Sequence, residues 1–122
     1  MTDKFGLELA AERGVTLGEV GQKILIENEY IRMWEVCLAP GETIDFHIHY
    51  HPYLVISLGG GENQIETIFG NKIKTDEPFG SFVFINEMRA VHRLTNHADV
   101  PYISRLIELK QSRWSANEGE DA

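Results

Sequence analysis

The stretch from Gly41 to Tyr53 reads GETIDFHIHYHPY and contains a His-x-His pair, His47 and His49. Alternate residues of a β-strand point to the same face, and successive same-face positions lie roughly 6.6 Å apart. Two imidazoles at this spacing can close on one ion at about 2.1 Å per bond. A third histidine, His92, follows in the later apolar run VHRLTN. The pattern predicts three imidazoles that converge on one metal ion inside a small β-barrel; the alternative is that they are ordinary polar residues with satisfied hydrogen bonds in a metal-free barrel.

The rest of the chain has the spacing of turn residues that is typical of an antiparallel barrel. From Lys23 onward, short β-branched and aromatic runs are separated by Gly, Pro, Asn and Asp, which is typical of an all-β sandwich or barrel. A weak apolar stripe over residues 5–13 predicts a short N-terminal helix. The strands are predicted at residues 23–27, 31–38, 44–49, 53–58, 64–69, 72–75, 81–85, 91–95 and 102–109.

The length and composition favour one domain. A chain of 122 residues with 43% hydrophobic content can build a single core. We predict an N-terminal arm or short helix over residues 1–22, a single barrel over residues 23–110, and an acidic, flexible C-terminal tail over residues 111–122.

The charge balance narrows the choice of partners. The chain has 11 Lys and Arg against 19 Asp and Glu, which gives a formal net charge of -8. Such a field repels phosphate backbones and anionic membrane surfaces. No apolar run approaches the roughly 20 residues that cross a bilayer, and one cysteine cannot form an intrachain disulfide. We therefore expect a cytoplasmic protein with a small-molecule substrate and neither a nucleic-acid nor a membrane partner.

The predicted strand over residues 53–58 is apolar on nearly both faces. Leu54, Ile56 and Leu58 share one face, while Tyr53 and Val55 lie on the other. One face would line the barrel, and a long aliphatic row on the other is rarely left exposed on a monomer. We therefore expect a homodimer.

The run from Gly41 to Gly60 resembles the first signature of the cupin superfamily. In that signature a glycine, a His-x-His pair, a glutamate and a second glycine follow one another. Gly41, His47, His49 and Gly60 stand in register with it, whereas Tyr53 occupies the place of the usual glutamate ligand.

Residues 80–96 resemble the second cupin signature. Asn86 stands where that signature has a proline, Met88 replaces its inner glycine, and one extra residue precedes His92, but His92 and Asn96 keep their mutual spacing. The resemblance implies an all-β fold of the double-stranded β-helix type, the cupin jelly-roll barrel, over most of the chain. Within the superfamily the chain is similar to small single-domain cupins, including those associated with β-alanine degradation.

The resemblance also implies a metal-dependent cupin that acts on a small organic acid or related metabolite. Three imidazoles with open positions suit the divalent ions of iron, zinc, nickel or copper better than magnesium or calcium. A three-histidine ferrous centre is similar to that of the thiol dioxygenases and the diketone-cleaving cupins, which favours iron and a dioxygenase. The alternatives are a non-oxidative lyase or isomerase and a non-catalytic small-molecule-binding cupin, because the fold alone does not choose a reaction.

Tyr53 and His51 are the candidate catalytic residues. By parity with the histidines, Tyr53 is predicted to face the interior, where its hydroxyl could touch an ion-bound water or a substrate oxygen; alternatively it is a packed aromatic residue. His51 shares that parity only if the strand stays regular, and Pro52 favours a break that turns His51 toward the rim. In the lyase or isomerase alternative, Tyr53 or His51 would move a proton.

Four other polar residues are singled out by their places in apolar runs. Glu35 and Arg105 are each expected to point outward or to be paired, because an unpaired buried charge is costly. If they pointed inward, Arg105 would clamp a substrate carboxylate and Glu35 would act as a general base. Asn96 is predicted to close a turn with its side-chain amide, and Cys37 is predicted to pack as a small hydrophobic residue.

Overall fold

The computed structural model of the protein describes residues 2–110. This range contains one short helix, α1 (Leu7–Glu12), and nine β-strands. The strands are β1 (Lys23–Glu27), β2 (Ile31–Leu38), β3 (Thr43–His47), β4 (Tyr53–Gly59), β5 (Glu62–Thr67), β6 (Lys72–Asp76), β7 (Phe82–Ile85), β8 (His92–Asn96) and β9 (Tyr102–Leu109). The predicted C-terminal tail, residues 111–122, lies outside the described residues.

The strands form two antiparallel sheets. One sheet has the order β1-β2-β9-β4-β7, and the other has the order β3-β8-β5-β6. The chain passes between the two sheets, as in a double-stranded β-helix, so most hydrogen-bonded neighbours are distant in sequence. The prediction of an all-β fold with a short N-terminal helix is confirmed, although the helix is shorter than residues 5–13.

Most predicted strands lie within two residues of the observed bounds, and β3 is the informative difference. It was predicted to run to residue 49, but it ends at His47. Its pairing with β8 is already irregular between Ile44 and His47, and Pro52, which follows, has no N–H to donate to a ladder. The backbone of residues 48–52 therefore leaves the sheet.

Side chains alternate regularly along β9, the central strand of the larger sheet. Four of its residues are buried between the sheets, and the four that alternate with them are only partly buried on the outer face. The buried residues are Tyr102, Ser104, Leu106 and Glu108. Because Tyr53 lies opposite Glu108 and Ser57 lies opposite Ser104 in β4, the same alternation fixes which residues of β4 face inward.

The buried carboxylate of Glu108 is satisfied inside the protein. Trp34 donates its indole N–H to Glu108 Oε1 over 2.7 Å, and Arg32 Nη1 lies 3.3 Å from the same oxygen. A buried charge needs such partners to be tolerated. We call Arg32, Trp34 and Glu108 the Glu108 cluster.

The N-terminal segment covers one side of the barrel. Ala10 of α1 packs with Ile48, Ile68 and Val91 in a buried apolar cluster. The Val91 N–H also donates to the Phe5 carbonyl over 2.9 Å. Because two members of this cluster adjoin His49 and His92 in sequence, the N-terminal segment supports the backbone that carries both histidines.

The outer face of the five-stranded sheet is largely apolar, with one ion pair at its centre. Glu35 of β2 lies directly opposite Arg105 of β9, and Arg105 Nη2 is 3.6 Å from Glu35 Oε2. Both residues alternate with buried neighbours and point outward. The expectation of an outward, paired arrangement is confirmed, and the inward alternative is wrong.

Cys37 shares this outer face and is exposed. The prediction that it packs as a buried hydrophobic residue is wrong, because Val36 and Leu38 take the inward positions of β2.

The turn after β8 is closed by Asn96, as predicted. Its Nδ2 donates to the carbonyls of Leu38, over 3.0 Å, and Val100, over 2.8 Å, and its Oδ1 accepts from the Ala98 N–H. Within residues 2–110, no helix is long and apolar enough to cross a membrane.

Candidate metal centre and its cavity

Three histidines come together at one end of the barrel. His47 is the last residue of β3 and His92 is the first of β8, and the two lie opposite one another across the ladder. His49 lies beyond β3, in the segment that leads to β4, and yet it is only 6% exposed. Two paired strands and one connecting segment therefore supply the three rings.

The geometry of this cluster is compatible with a shared ion. One nitrogen from each ring can be chosen so that the three lie within 4.8 Å of one another. Two nitrogens that bind one ion at about 2.1 Å in tetrahedral geometry are about 3.4 Å apart, so the rings would have to approach one another by about 1.4 Å at most. The ring centroid of His47 lies 4.5 Å from that of His92 and 5.1 Å from that of His49. We call His47, His49 and His92 the histidine cluster.

Backbone carbonyls orient two of the rings. His47 Nδ1 lies 2.7 Å from the carbonyl oxygen of Asp45, and His92 Nδ1 lies 2.8 Å from that of Ala90. A carbonyl oxygen only accepts, so each Nδ1 carries the proton, and the Nε2 lone pair is left for a ligand. Such hydrogen bonds are typical of metal-binding histidines, whose second nitrogen is held by the protein.

His49 has a different environment. Its Nδ1 is buried and has no hydrogen-bond partner among the described residues, and its ring stacks on Tyr53 with a centroid distance of 3.9 Å. A buried polar atom without a partner costs free energy. An ion bound through this atom would remove that cost. The unpartnered nitrogen of His49 is therefore the feature of this donor set that fits a metal.

Burial keeps these imidazoles neutral. It lowers the pKa of His47 to about 4, with a further decrease from the neighbouring His92. The pKa of His49 is also held well below its usual value, mainly by burial. Burial likewise lowers the pKa of His92, although the hydrogen bond to Ala90 opposes the change. Metal ions bind the neutral form of histidine, so these rings are ready to bind at neutral pH.

The two candidate catalytic residues are placed differently. Tyr53 is the first residue of β4, is only 8% exposed and lines the same cavity as the histidines. Burial raises the pKa of its hydroxyl to about 12, so the phenol stays protonated. His51 is half-buried, belongs neither to the histidine cluster nor to the cavity lining, and directly precedes Pro52.

The histidine cluster opens into a cavity of about 450 Å³ between the two sheets. Its middle is aliphatic: Val55 pairs with Leu106 in one sheet, and Ile65 pairs with Leu94 in the other. The cavity therefore suits a small, partly apolar molecule.

Arg89 lines the cavity near the histidine cluster. Its positive charge lowers the pKa of both Tyr53 and His92, so it is close to both. Among residues 2–110, Arg89 forms no salt bridge. Sequence reasoning missed Arg89 and considered Arg105 instead. The sequence signal that could have indicated Arg89 is its position three residues before His92, in the atypical turn of the second signature.

The far end of the cavity carries a second polar group, which sequence reasoning also missed. Tyr102 donates its hydroxyl to Glu77 Oε1 over 2.9 Å, and Thr75 donates to Glu77 Oε2 over 3.3 Å. Ser104 lies near the Tyr102 hydroxyl, but its own buried Oγ has no hydrogen-bond partner within the described part of the chain. We call Glu77, Tyr102 and Ser104 the Glu77 pole.

The backbone of Glu77 is held in place by two neighbouring segments. Its N–H donates to the Gly61 carbonyl over 3.0 Å, and its carbonyl accepts from Ser57 Oγ over 2.7 Å. Gly61 has a φ of 125°, and a Cβ at this position would overlap the Glu77 backbone. Glycine is therefore required there both by conformation and by close approach.

Comparison with known proteins supports the fold. A cupin domain from Bordetella pertussis Tohama I is similar with a TM-score of 0.66 and 24% identity, over 72% of this chain and 90% of that one. A double-stranded β-helix protein from Klebsiella pneumoniae has a TM-score of 0.57 and 19% identity, over 84% and 89% of the two chains. A cupin superfamily protein from Desulfitobacterium hafniense has a TM-score of 0.54 and 17% identity, over 84% and 88%.

No protein-family model matches the chain, and neither does any curated protein. At the identities above, the solved structures establish the fold alone. The chain thus has the cupin fold, the double-stranded β-helix, with a three-histidine cluster that is compatible with a divalent metal.

Proposed function

We propose that the protein is a metal-dependent cupin enzyme that acts on a small organic acid, with His47, His49 and His92 as the metal ligands. The observation that carries the proposal is the convergence of three neutral imidazoles, two of them oriented by backbone carbonyls, at the end of a cavity with an aliphatic middle. A set of three imidazoles without a carboxylate suits iron, zinc, nickel or copper. We favour iron and an oxygen-dependent reaction.

The protein's own residues supply binding and orientation. When bound, a divalent ion would polarise a substrate oxygen and, as iron, would provide the redox chemistry for a reaction with dioxygen. Arg89 would attract the substrate carboxylate to the histidine end, because its guanidinium matches a carboxylate and forms no salt bridge within residues 2–110. The aliphatic middle of the cavity would exclude water from the apolar part of the substrate.

Tyr53 is proposed to act as a hydrogen-bond donor to the substrate. Its raised pKa keeps the hydroxyl protonated, and its stacking on His49 holds the ring beside the histidine cluster. In a non-oxidative lyase or isomerase, the second candidate, the same hydroxyl would move a proton. His51 would join that reaction only if the segment before β4 moved, because it does not line the cavity.

The first experiment is elemental analysis of the full chain purified without a histidine tag or chelators. Near-stoichiometric iron, zinc, nickel or copper is expected in the parent protein, and the variant His92→Ala should lose most of it. The matched control is His97→Ala, because His97 is exposed and outside the cluster. A metal-free parent, or full metal content in His92→Ala, would contradict the site.

Oxygen consumption separates the two reaction classes. The iron-loaded protein is mixed with a panel of small carboxylic acids, and dissolved oxygen is followed together with product formation. Oxygen uptake that tracks product, and that is lost in His92→Ala, supports the dioxygenase. Product without oxygen uptake supports the lyase or isomerase and contradicts the oxygen-dependent proposal.

We also propose that the protein acts in the cytoplasm on a small molecule, without nucleic-acid or membrane partners. The net charge of -8 and the single cysteine support this part. A relation to the small cupins associated with β-alanine degradation is supported by Tyr53 at the position of the usual glutamate and by the closing sequence IELK of residues 107–110.

The outer face of the five-stranded sheet is proposed to bind a second copy of the chain. Leu54 and Ile56 lie opposite Phe84 and Phe82 on this face, and both phenylalanines are exposed. A two-fold axis would set the face against itself. The central pair of Glu35 and Arg105 carries both charges and would complement its own copy. Sedimentation velocity should show a dimer that Phe84→Asp dissociates. Phe69→Asp, at an exposed position between β5 and β6 of the other sheet, should preserve the dimer, and a monomeric parent would overturn this part.

A further inference from the structure

The cavity has two polar ends, and the histidine cluster accounts for only one of them. Along β9, Ser104 is four residues from Glu108, and in β4 their partners are Ser57 and Tyr53. At about 3.3 Å per residue, the backbone levels of the two ends are about 13 Å apart. Ser104 of the Glu77 pole therefore lies at the opposite end of these strands from Tyr53, whereas the Glu77 carboxylate reaches toward the middle of the cavity, where its charge adds to the effect of burial in raising the pKa of Tyr53.

The Glu77 carboxylate is incompletely satisfied. It accepts from Tyr102 and Thr75, whereas a carboxylate offers about four acceptor positions. Among residues 2–110, Glu77 has no cationic partner. It is half-buried and borders the aliphatic middle of the cavity, where a charge without a cationic partner loses part of its hydration.

Ser104 provides an independent sign that this end is incomplete. Its hydroxyl is buried and makes no hydrogen bond of regular geometry in the described part of the chain, although it lies beside the Tyr102 hydroxyl, which donates to Glu77. Its backbone belongs to the centre of the larger sheet, paired with β2 and β4. A rigid element thus presents an unpaired hydroxyl beside Glu77 and Tyr102, where most buried polar groups would be paired.

We propose that the Glu77 pole is a second recognition point, which binds a hydrogen-bond donor at the far end of the substrate. This inference rests on the proposed function, which places the substrate carboxylate at Arg89 and the histidine cluster. The substrate is then bifunctional: an acid at one end, a hydroxyl or ammonium group at the other, and a short aliphatic chain between them. Glu77 determines specificity, and Tyr102 positions its carboxylate.

The test compares short acids that differ only at the far end. Calorimetric titration of the full-length, metal-loaded protein uses butyrate, γ-hydroxybutyrate and γ-aminobutyrate, and then the series one carbon longer. A donor that meets a carboxylate should bind about tenfold more tightly than the methyl end, because such a bond contributes about 1.4 kcal/mol or more. The hydroxyl and ammonium arms show which donor is preferred.

Two variants locate the effect. Glu77→Gln should remove most of the preference for the ammonium compound, and Tyr102→Phe, which frees the Glu77 side chain, should weaken the preference for either donor. Neither substitution should alter the metal content, which also shows that the variants fold, and the preference is measured within each variant as the ratio of its affinities for the donor acid and for butyrate. Glu19→Gln, at an exposed position outside the cavity, should behave like the parent.

The outcomes are distinguishable. Equal affinity for all three acids, or an undiminished preference in Glu77→Gln, overturns the second recognition point and leaves the proposed function standing. If no acid binds to the metal-loaded protein, both are overturned. A donor preference that is lost in Glu77→Gln but kept in Glu19→Gln supports the inference.

Discussion

The protein contains two buried polar clusters at the same end of the barrel, and their hydrogen bonding differs. In the Glu108 cluster, Trp34 and Arg32 both contact the one buried carboxylate. In the histidine cluster, backbone carbonyls satisfy one nitrogen of His47 and of His92, and the Nδ1 of His49 has no partner among the described residues.

This difference in hydrogen bonding suggests a structural role for the Glu108 cluster and a binding role for the histidine cluster. In the Glu108 cluster the chain itself supplies both an indole donor and a cation to the carboxylate, so this cluster needs no added group. The histidine cluster presents lone pairs that only an added group would use, so its burial reduces stability until an ion binds. The two clusters are neighbours, because Tyr53, which stacks on His49, lies opposite Glu108.

The largest expected effect is that of the ion on stability. At about one thousand times the dissociation constant, zinc should raise the free energy of unfolding by about 4 kcal/mol. Denaturant unfolding with and without the ion measures this gain. His92→Ala should abolish the gain, and His97→Ala should keep it; an equal gain in both variants would mean that the ion binds elsewhere.

Acid should destabilise the metal-free protein through the same cluster. Burial lowers the pKa of His47 from its usual 6.5 to about 4 in the folded chain, so the unfolded chain binds the proton first. Stability is therefore complete above pH 6.5 and decreases as the pH falls toward 4, by about 3 kcal/mol from this ring. Urea unfolding across this window measures the loss, and His47→Asn should show a shallower decrease. An equal slope in parent and variant would contradict the assignment.

Removing the acceptor of the Glu108 cluster should cost stability without affecting the metal. Glu108→Ala leaves the Trp34 N–H without its partner, so we expect a loss of about 2 kcal/mol. The matched control is Glu66→Ala, which breaks a more exposed pair with Arg93 and should cost less than about 1 kcal/mol. Denaturation and elemental analysis measure the two effects. Loss of metal from Glu108→Ala would show that the clusters are coupled.

The smallest effect is expected at the outward ion pair. Arg105→Gln should change the free energy of unfolding by less than about 1 kcal/mol, because the pair with Glu35 is partly exposed. It should leave the affinity for butyrate unchanged, whereas Arg89→Gln should weaken it about tenfold. If Arg105→Gln instead weakened butyrate binding and Arg89→Gln did not, Arg105 would be the residue that binds the carboxylate.

The sequence predicted the strands well because alternation and turn residues are local signals. It did not predict which face of β9 points inward. The outward face includes Ile103, Ile107 and Leu109, and the inward face includes Ser104 and Glu108, so the outer side is at least as apolar as the inner one. The polarity pattern alone could therefore not show whether Arg105 points inward or outward. The pairing of β9 with its neighbouring strands was needed to decide its direction.

The histidine cluster was predicted from spacing, although the strand argument held only in part. His49 reaches the cluster from a segment outside β3, which the His-x-His spacing could not reveal. Arg89 and Glu77 lie in loops, where no periodicity fixes the direction of a side chain. Only the packing of those loops against the barrel shows that both line the cavity.

Gly61 has no side chain that could contact a ligand, but its close approach to the Glu77 backbone fixes where Glu77 lies in the cavity. A larger residue there would displace the Glu77 backbone and move the carboxylate relative to the histidines. If the Glu77 pole receives the far end of the substrate, the close approach at Gly61 sets the distance from that end to the histidines, so engineering a different chain-length preference would begin at this glycine.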